Sequence, residues 1–168
     1  MAGFSIVMLM GFMSTIFIGF LIAFILFLLY SIICYFFKSA ALYRMSKNKN
    51  YKFPITSWIP FYNNVNLGKL AGKKAYGWII FICDLLIIGL ITLSTYLTYA
   101  NTYMNKTLTY LASLCMLITL ALSIISSNLV IEKALPKAHK VVCIINTFTL
   151  GIFKSIILFV IKNKKLND

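Results

Sequence analysis

Acidic residues are almost missing from this chain: Asp84, Glu132 and Asp168 stand against sixteen Lys or Arg. There is one histidine, His139, and it has no cysteine or acid cluster around it, so the parts for a metal centre or for acid–base catalysis are scarce. No HExxH, GxSxG or phosphate-loop pattern occurs. A Ser–Lys dyad built from Lys154 and Ser155 fails on direction, because adjacent helical residues do not face each other. The expectation is a non-enzymatic protein with no catalytic residue, no metal and no cofactor. Cys34, Cys83, Cys115 and Cys143 are far apart in or beside apolar runs. They read as reduced thiols acting as small apolar side chains rather than as a zinc or redox motif.

What is abundant is hydrocarbon. Hydrophobic residues make up 61% of the 168 positions and charged residues 11%, outside the range of a soluble globular domain. A net charge of +13 would point a soluble protein towards nucleic acid. Here the positive charge lies in the breaks between apolar runs, where it sets topology and meets anionic lipid headgroups. The expected partner is therefore the bilayer, not nucleic acid. The N-terminus lacks the positive region of a cleavable leader, and its apolar stretch is too long for one.

Residues 4–37 carry no charge. As a helix they reach about 50 Å, against a hydrocarbon core of about 30 Å. Spans are expected at 11–35, 77–100, 108–131 and 141–161, the second opening on Trp78 and closing near Tyr96 and Tyr99. The fold expectation is an all-α membrane protein: a four-helix transmembrane bundle forming one integral membrane domain over 1–168. A basic interfacial or re-entrant segment, 38–76, lies between the first two helices. That segment has eight Lys or Arg up to Lys74, the next loop has only Lys106, and the third has Lys133, Lys137 and Lys140. This count places the N-terminus outside and the first and third loops on the cytoplasmic side. Four spans then put the tail outside, in conflict with Lys162, Lys164 and Lys165. A re-entrant last segment is the alternative.

Small residues recur every fourth position in three of the spans: Gly11, Thr15, Gly19 and Ala23; Cys115, Thr119, Ser123 and Ser127; Cys143, Thr147, Gly151 and Ser155. Such ridges let helix backbones approach in lipid, so helix packing is expected at Gly11, Thr15, Gly19, Thr119, Ser123 and Gly151. Two ionisable residues fall inside spans, Asp84 and Lys154. Each costs about 2.5–3.5 kcal/mol on insertion scales and should face protein or water. Asp84 has three options: a pair with Lys154, a solvated polar cleft, or a neutral acid hydrogen-bonded to a neighbouring helix.

The basic segment holds the most unusual composition. Tyr43-Arg44-Met45-Ser46-Lys47 is followed by Ser57-Trp58-Ile59-Pro60-Phe61-Tyr62-Asn63 and then Leu67-Gly68-Lys69-Leu70-Ala71-Gly72-Lys73. Pro54 and Pro60 break the chain, and Asn63 or Asn64 is placed to cap a short helix over 65–71 that Gly72 ends. The pattern resembles a family of small bacterial integral membrane proteins with a Trp-x-Pro-x-x-Asn element and a Lys-x-Ala-Gly-Lys element before an aromatic-led second span. The resemblance covers roughly residues 40–80. It implies membrane architecture and a bacterial source and carries over no catalytic residue.

Trp58, Pro60, Tyr62, Asn63, Lys69 and Lys73 are expected to contact lipid headgroups or a partner protein. The functional expectation is an accessory or scaffold protein that docks on another membrane protein, with self-association also open. The alternative is a small pore, holin-like channel or transporter using Asp84 and Lys154.

Overall fold

The computed structural model describes residues 2–97 and 102–164, with side chains from 10–97 and 106–164. The expectations for Tyr99 and for the end of the tail, 165–168, lie outside the described residues. The elements are α1 (Ala2–Asn48), a 3-10 turn (Pro54–Trp58), α2 (Tyr62–Leu70), α3 (Lys74–Leu97), α4 (Thr102–Ala134), α5 (His139–Phe148) and α6 (Lys154–Ile161). No strand occurs among the described residues. Three helices are long and apolar enough to cross a membrane: Met10–Asn48, Lys74–Leu97 and Lys106–Ala134. The chain divides into two compact units, Met1–Phe36 and Phe37–Asp168.

The first unit is one helical rod. Its side chains from Met10 to Ile33 are exposed, including Gly11, Thr15 and Gly19. Its hydroxyls are satisfied within the helix: Ser14 and Thr15 both donate to the Gly11 carbonyl at 2.9 Å, and Ser31 donates to that of Phe27 at 2.8 Å. Bonds back to the preceding turn let a polar side chain stay in an apolar helix without an outside partner.

The second unit holds the packed core. Ala41, Leu42 and Met45 from the end of α1 join Leu67 and Leu70 of α2, Val130 and Ile131 of α4, and Leu158 and Ile161 of α6. The first three share a face by helical spacing, which is why this part of α1 is buried on one side and carries Arg44 and Lys47 on the other. The helix ends at Asn48, with Asn50 in the left-handed region at φ 53°.

Between α1 and α2 the two prolines act as expected. Pro54 opens the 3-10 turn, and Pro60 leads into a reversal in which the Tyr62 amide donates to the Pro60 carbonyl at 2.7 Å. The residue bridged by that bond, Phe61, is held at φ 62°, a strained γ-turn for a side chain of this size. α2 therefore starts at Tyr62, so Asn63 and Asn64 lie inside the helix and do not cap it. Its far end is closed as the sequence suggests. Gly72 sits at φ 81°, and the Lys73 amide donates to the Gly68 carbonyl at 2.9 Å.

α2 lies almost on the backbone of α3. A Cβ built on Gly77 would come within 2.8–2.9 Å of the α2 backbone at Asn64 and Val65, and one on Gly68 within 2.5 Å of Gly77. No other residue fits at either position. Tyr62, Trp78 and Phe81 close the outer side of this crossing, edge to face at 5.8–6.1 Å between ring centres.

The expected fourth helix over 141–161 is instead two short helices. α5 ends in a left-handed turn, with Leu150 at φ 49° and Gly151 at φ 72°, and the Gly151 amide donates to the Asn146 carbonyl at 2.8 Å. Contacts along α4 trace a reversal. Asn146 of α5 donates to Ser127 and Asn128, the turn at Gly151 lies against Ile124, and Lys154 reaches Ser123. α6 then returns to the core beside Val130 and Ile131. From Ala134 to Ser123 is about 16 Å along a helix, roughly half of a 30 Å hydrocarbon core. The run is apolar on average despite Asn146 and Lys154, so mean hydropathy alone does not separate one long helix from two short ones.

Candidate functional site

The polar residues of the second unit converge on one cleft. Each arrives from a different element at a similar depth: Lys38 and Asp84 both lie about 15 Å, counted along their helices, from the polar ends of α1 and α3. Lys38 is 9% exposed, although it ends a long apolar run. Its ammonium donates to Asn64 Oδ1 at 2.5 Å and to Asn63 Oδ1 at 3.2 Å. Asn64 in turn donates from Nδ2 to Asp84 Oδ2 at 2.7 Å. One amide thus links a cation to a carboxylate, its oxygen turned to the first and its nitrogen to the second. Across the cleft Lys154 donates to Ser123 Oγ at 2.5 Å.

The cavity between them has a volume of about 240 Å³ and is lined by Lys38, Asn64, Asp84, Thr119, Ser123 and Lys154, with Ile80, Met116, Leu120 and Leu150 as its apolar walls. Burying these groups singly would be expensive, and the bonds among them offset that cost. Leu150 stands on the wall in the left-handed region that glycine normally fills. A residue held in strain beside a polar cavity is a common mark of a working site.

A second polar set ties α5 to α4. Asn146, fully buried, donates to Ser127 Oγ at 2.9 Å and to Asn128 Oδ1 at 2.7 Å, while Asn128 donates to Thr147 Oγ1 at 3.0 Å. The Asn146 side-chain oxygen has no hydrogen-bond partner.

The structure places the residues singled out in the sequence as follows. Asp84 and Lys154 line the same cleft. Thr119, Ser123 and Gly151 are buried against neighbouring elements, whereas Gly11, Thr15 and Gly19 are exposed. Trp58 and Pro60 are exposed, as is Lys73, and Lys69 lies over the Tyr62 ring at 5.7 Å. Asn63 is the correction: at 3% exposure it is not a surface for a partner, because it is turned inward to bind Lys38. Tyr62 is half-buried against Trp78 and Phe81.

Sequence reasoning missed Lys38 and Asn64. A lysine at the end of an apolar run reads as the first interfacial charge, and an asparagine after a proline reads as a cap. The usable signal was Asn63-Asn64 near a break, two amides where one cap suffices. Lys52, Lys69 and Lys74 border a separate pocket of about 350 Å³ with Tyr51, Tyr62 and Asn66, on the outer side of the 3-10 turn. Asn66 holds that turn to α2, donating to Thr56 and Ser57 at 2.9 and 3.0 Å. Comparisons with protein-family models, curated proteins and solved structures found no match.

Proposed function

We propose that the chain is a non-enzymatic, multi-pass protein of a bacterial cytoplasmic membrane, acting as an accessory or scaffold subunit for another membrane protein. The observation that carries this reading is that the polar groups between the apolar helices bond to one another. The Lys38–Asn64–Asp84 chain, the Lys154–Ser123 bond and the Asn146 set all join elements of the second unit. Side-chain bonds that join separate elements in this way make a unit rigid and specific, which suits a docking platform better than a water-filled lumen. The basic and aromatic surface at the exposed Trp58 and Lys73 and the half-buried Lys69 supplies the headgroup contact. Affinity purification in mild detergent tests the reading, and one stoichiometric protein partner is the expected result. Ion or dye leakage from proteoliposomes holding this protein alone would replace it with the second reading, a small pore or transporter. That reading is favoured by one observation, the cleft shared by Asp84 and Lys154.

The topology proposed with it has three spans, an outside N-terminus and a re-entrant α5–α6 pair. Lys162 lies with Arg44 and Trp58 around one pocket, which supports a tail on the same side as the first loop. Every basic segment is then cytoplasmic, and the conflict in the charge count disappears. A reporter fused after residue 168 should be active only in the cytoplasm. An extracytoplasmic reporter would restore four spans.

A further inference from the structure

We propose that the cleft of the second unit is a binding site for a singly charged oxyanion, with a phosphodiester as its best fit. This rests on the reading of the protein as one that binds rather than catalyses, and it names what the site takes. The charged lining consists of two ammonium groups, Lys38 and Lys154, and one carboxylate, Asp84. Counted over these three side chains, the lining carries a formal excess of one positive charge between apolar helices, where charge is costly to hold. A monoanion neutralises it, whereas a dianion leaves the excess reversed.

The remaining features fit the same ligand. Lys38 is immobilised by two amide oxygens and supplies a fixed field, while Lys154 arrives from the turn end of α6. Ser123 accepts from Lys154 and, as a hydroxyl, also has a proton to donate. The volume of about 240 Å³ suits a phosphate-sized group with a few waters and lies below the usual range for larger organic ligands. Asp84, joined to Lys38 through Asn64, sets the charge the site prefers rather than contacting the anion.

The same chemistry reaches the cleft from two sources, a lipid phosphodiester or a free oxyanion, and the experiment separates them. The full-length protein in neutral detergent is titrated with phosphatidylglycerol, with phosphatidylcholine and with inorganic phosphate. Retained lipid is read by native mass spectrometry and stabilisation by thermal unfolding. A lipid-fed site shows phosphatidylglycerol retained about tenfold more tightly than phosphatidylcholine, with little response to phosphate. A site fed from water shows stabilisation by phosphate that phosphatidylglycerol does not compete away. Either result supports the proposal if Lys154→Met weakens binding about tenfold while Lys140→Gln, exposed in the first turn of α5, leaves it within about twofold.

Asp84→Asn should bind at least as tightly and shift preference towards doubly charged phosphate. If Lys38→Met fails to fold, Ser123→Ala supplies the second cleft variant. Equal retention of the two lipids without any phosphate response would overturn the proposal, as would equal effects of Lys154→Met and Lys140→Gln. Loss of anion binding alongside a co-purifying partner would reject the ligand and leave the accessory role standing. The converse would reject the role and leave the site.

Discussion

Two ridges with the same spacing meet different fates in this molecule. On α4, Cys115, Thr119, Ser123 and Ser127 are all buried, and the reversal between α5 and α6 lies against the same helix with Gly151 at Ile124. On the first part of α1, Gly11, Thr15 and Gly19 are exposed, and a Cβ added at Gly11 or Gly19 meets nothing within 4 Å. Small residues every fourth position permit close approach and do not by themselves supply a partner. What distinguishes the ridges is chemistry directed across them. The α4 ridge faces donors, Lys154 and Asn146, whose bonds end on its serines. The one hydroxyl of the α1 ridge, Thr15, bonds to its own helix at the Gly11 carbonyl.

The sharpest way to break this comparison is at the tightest crossing. Gly77→Leu forces a side chain onto the α2 backbone, and a loss of about 3 kcal/mol or more is expected from overpacking against backbone that cannot move aside. Thermal unfolding in detergent should show it, while Gly19→Leu, made in parallel, should leave the unfolding transition in place. An equal effect from both would mean that the two glycines do the same job.

A middle-sized test sets Ser123→Leu against Thr15→Leu. The first should destabilise by about 1–3 kcal/mol, since it overfills a buried position and removes the acceptor for Lys154. The second should leave stability unchanged and alter only self-association or partner capture, read by crosslinking. The smallest expected effect belongs to Leu150→Gly, which should stabilise the turn by about 1 kcal/mol by relieving a left-handed conformation that leucine adopts poorly. A loss of stability there would show that the packing of Leu150 on the cleft wall outweighs its strain.

Much of the architecture was legible in the residues. Long apolar runs mark α1, α3 and α4, because nothing else buries so many apolar side chains in a row. Gly72 marks the end of α2 because the left-handed turn needs it. The site was half legible. Asp84 and Lys154 stood out as charges inside apolar helices, but a straight last span would have held them about 10 Å apart in depth. The reversal at Leu150–Gly151 brings both to one cavity, and no leucine announces a turn. Lys38 and Asn64 escaped notice because their roles depend on each other: each is ordinary until the other is in place.

The close crossing of α2 and α3 also has a consequence for how the chain is made. α2 hides Asn63, Asn64 and Asn66 among its buried residues and is too polar and too short to enter a bilayer by its own hydrophobicity. Its burial depends on the groove at Gly77 and on the Lys38 ammonium, one of which lies ahead of it in the chain and one behind. In this geometry α2 cannot take its buried place before both Lys38 and Gly77 are present, so its packing waits on a helix that follows it in the chain.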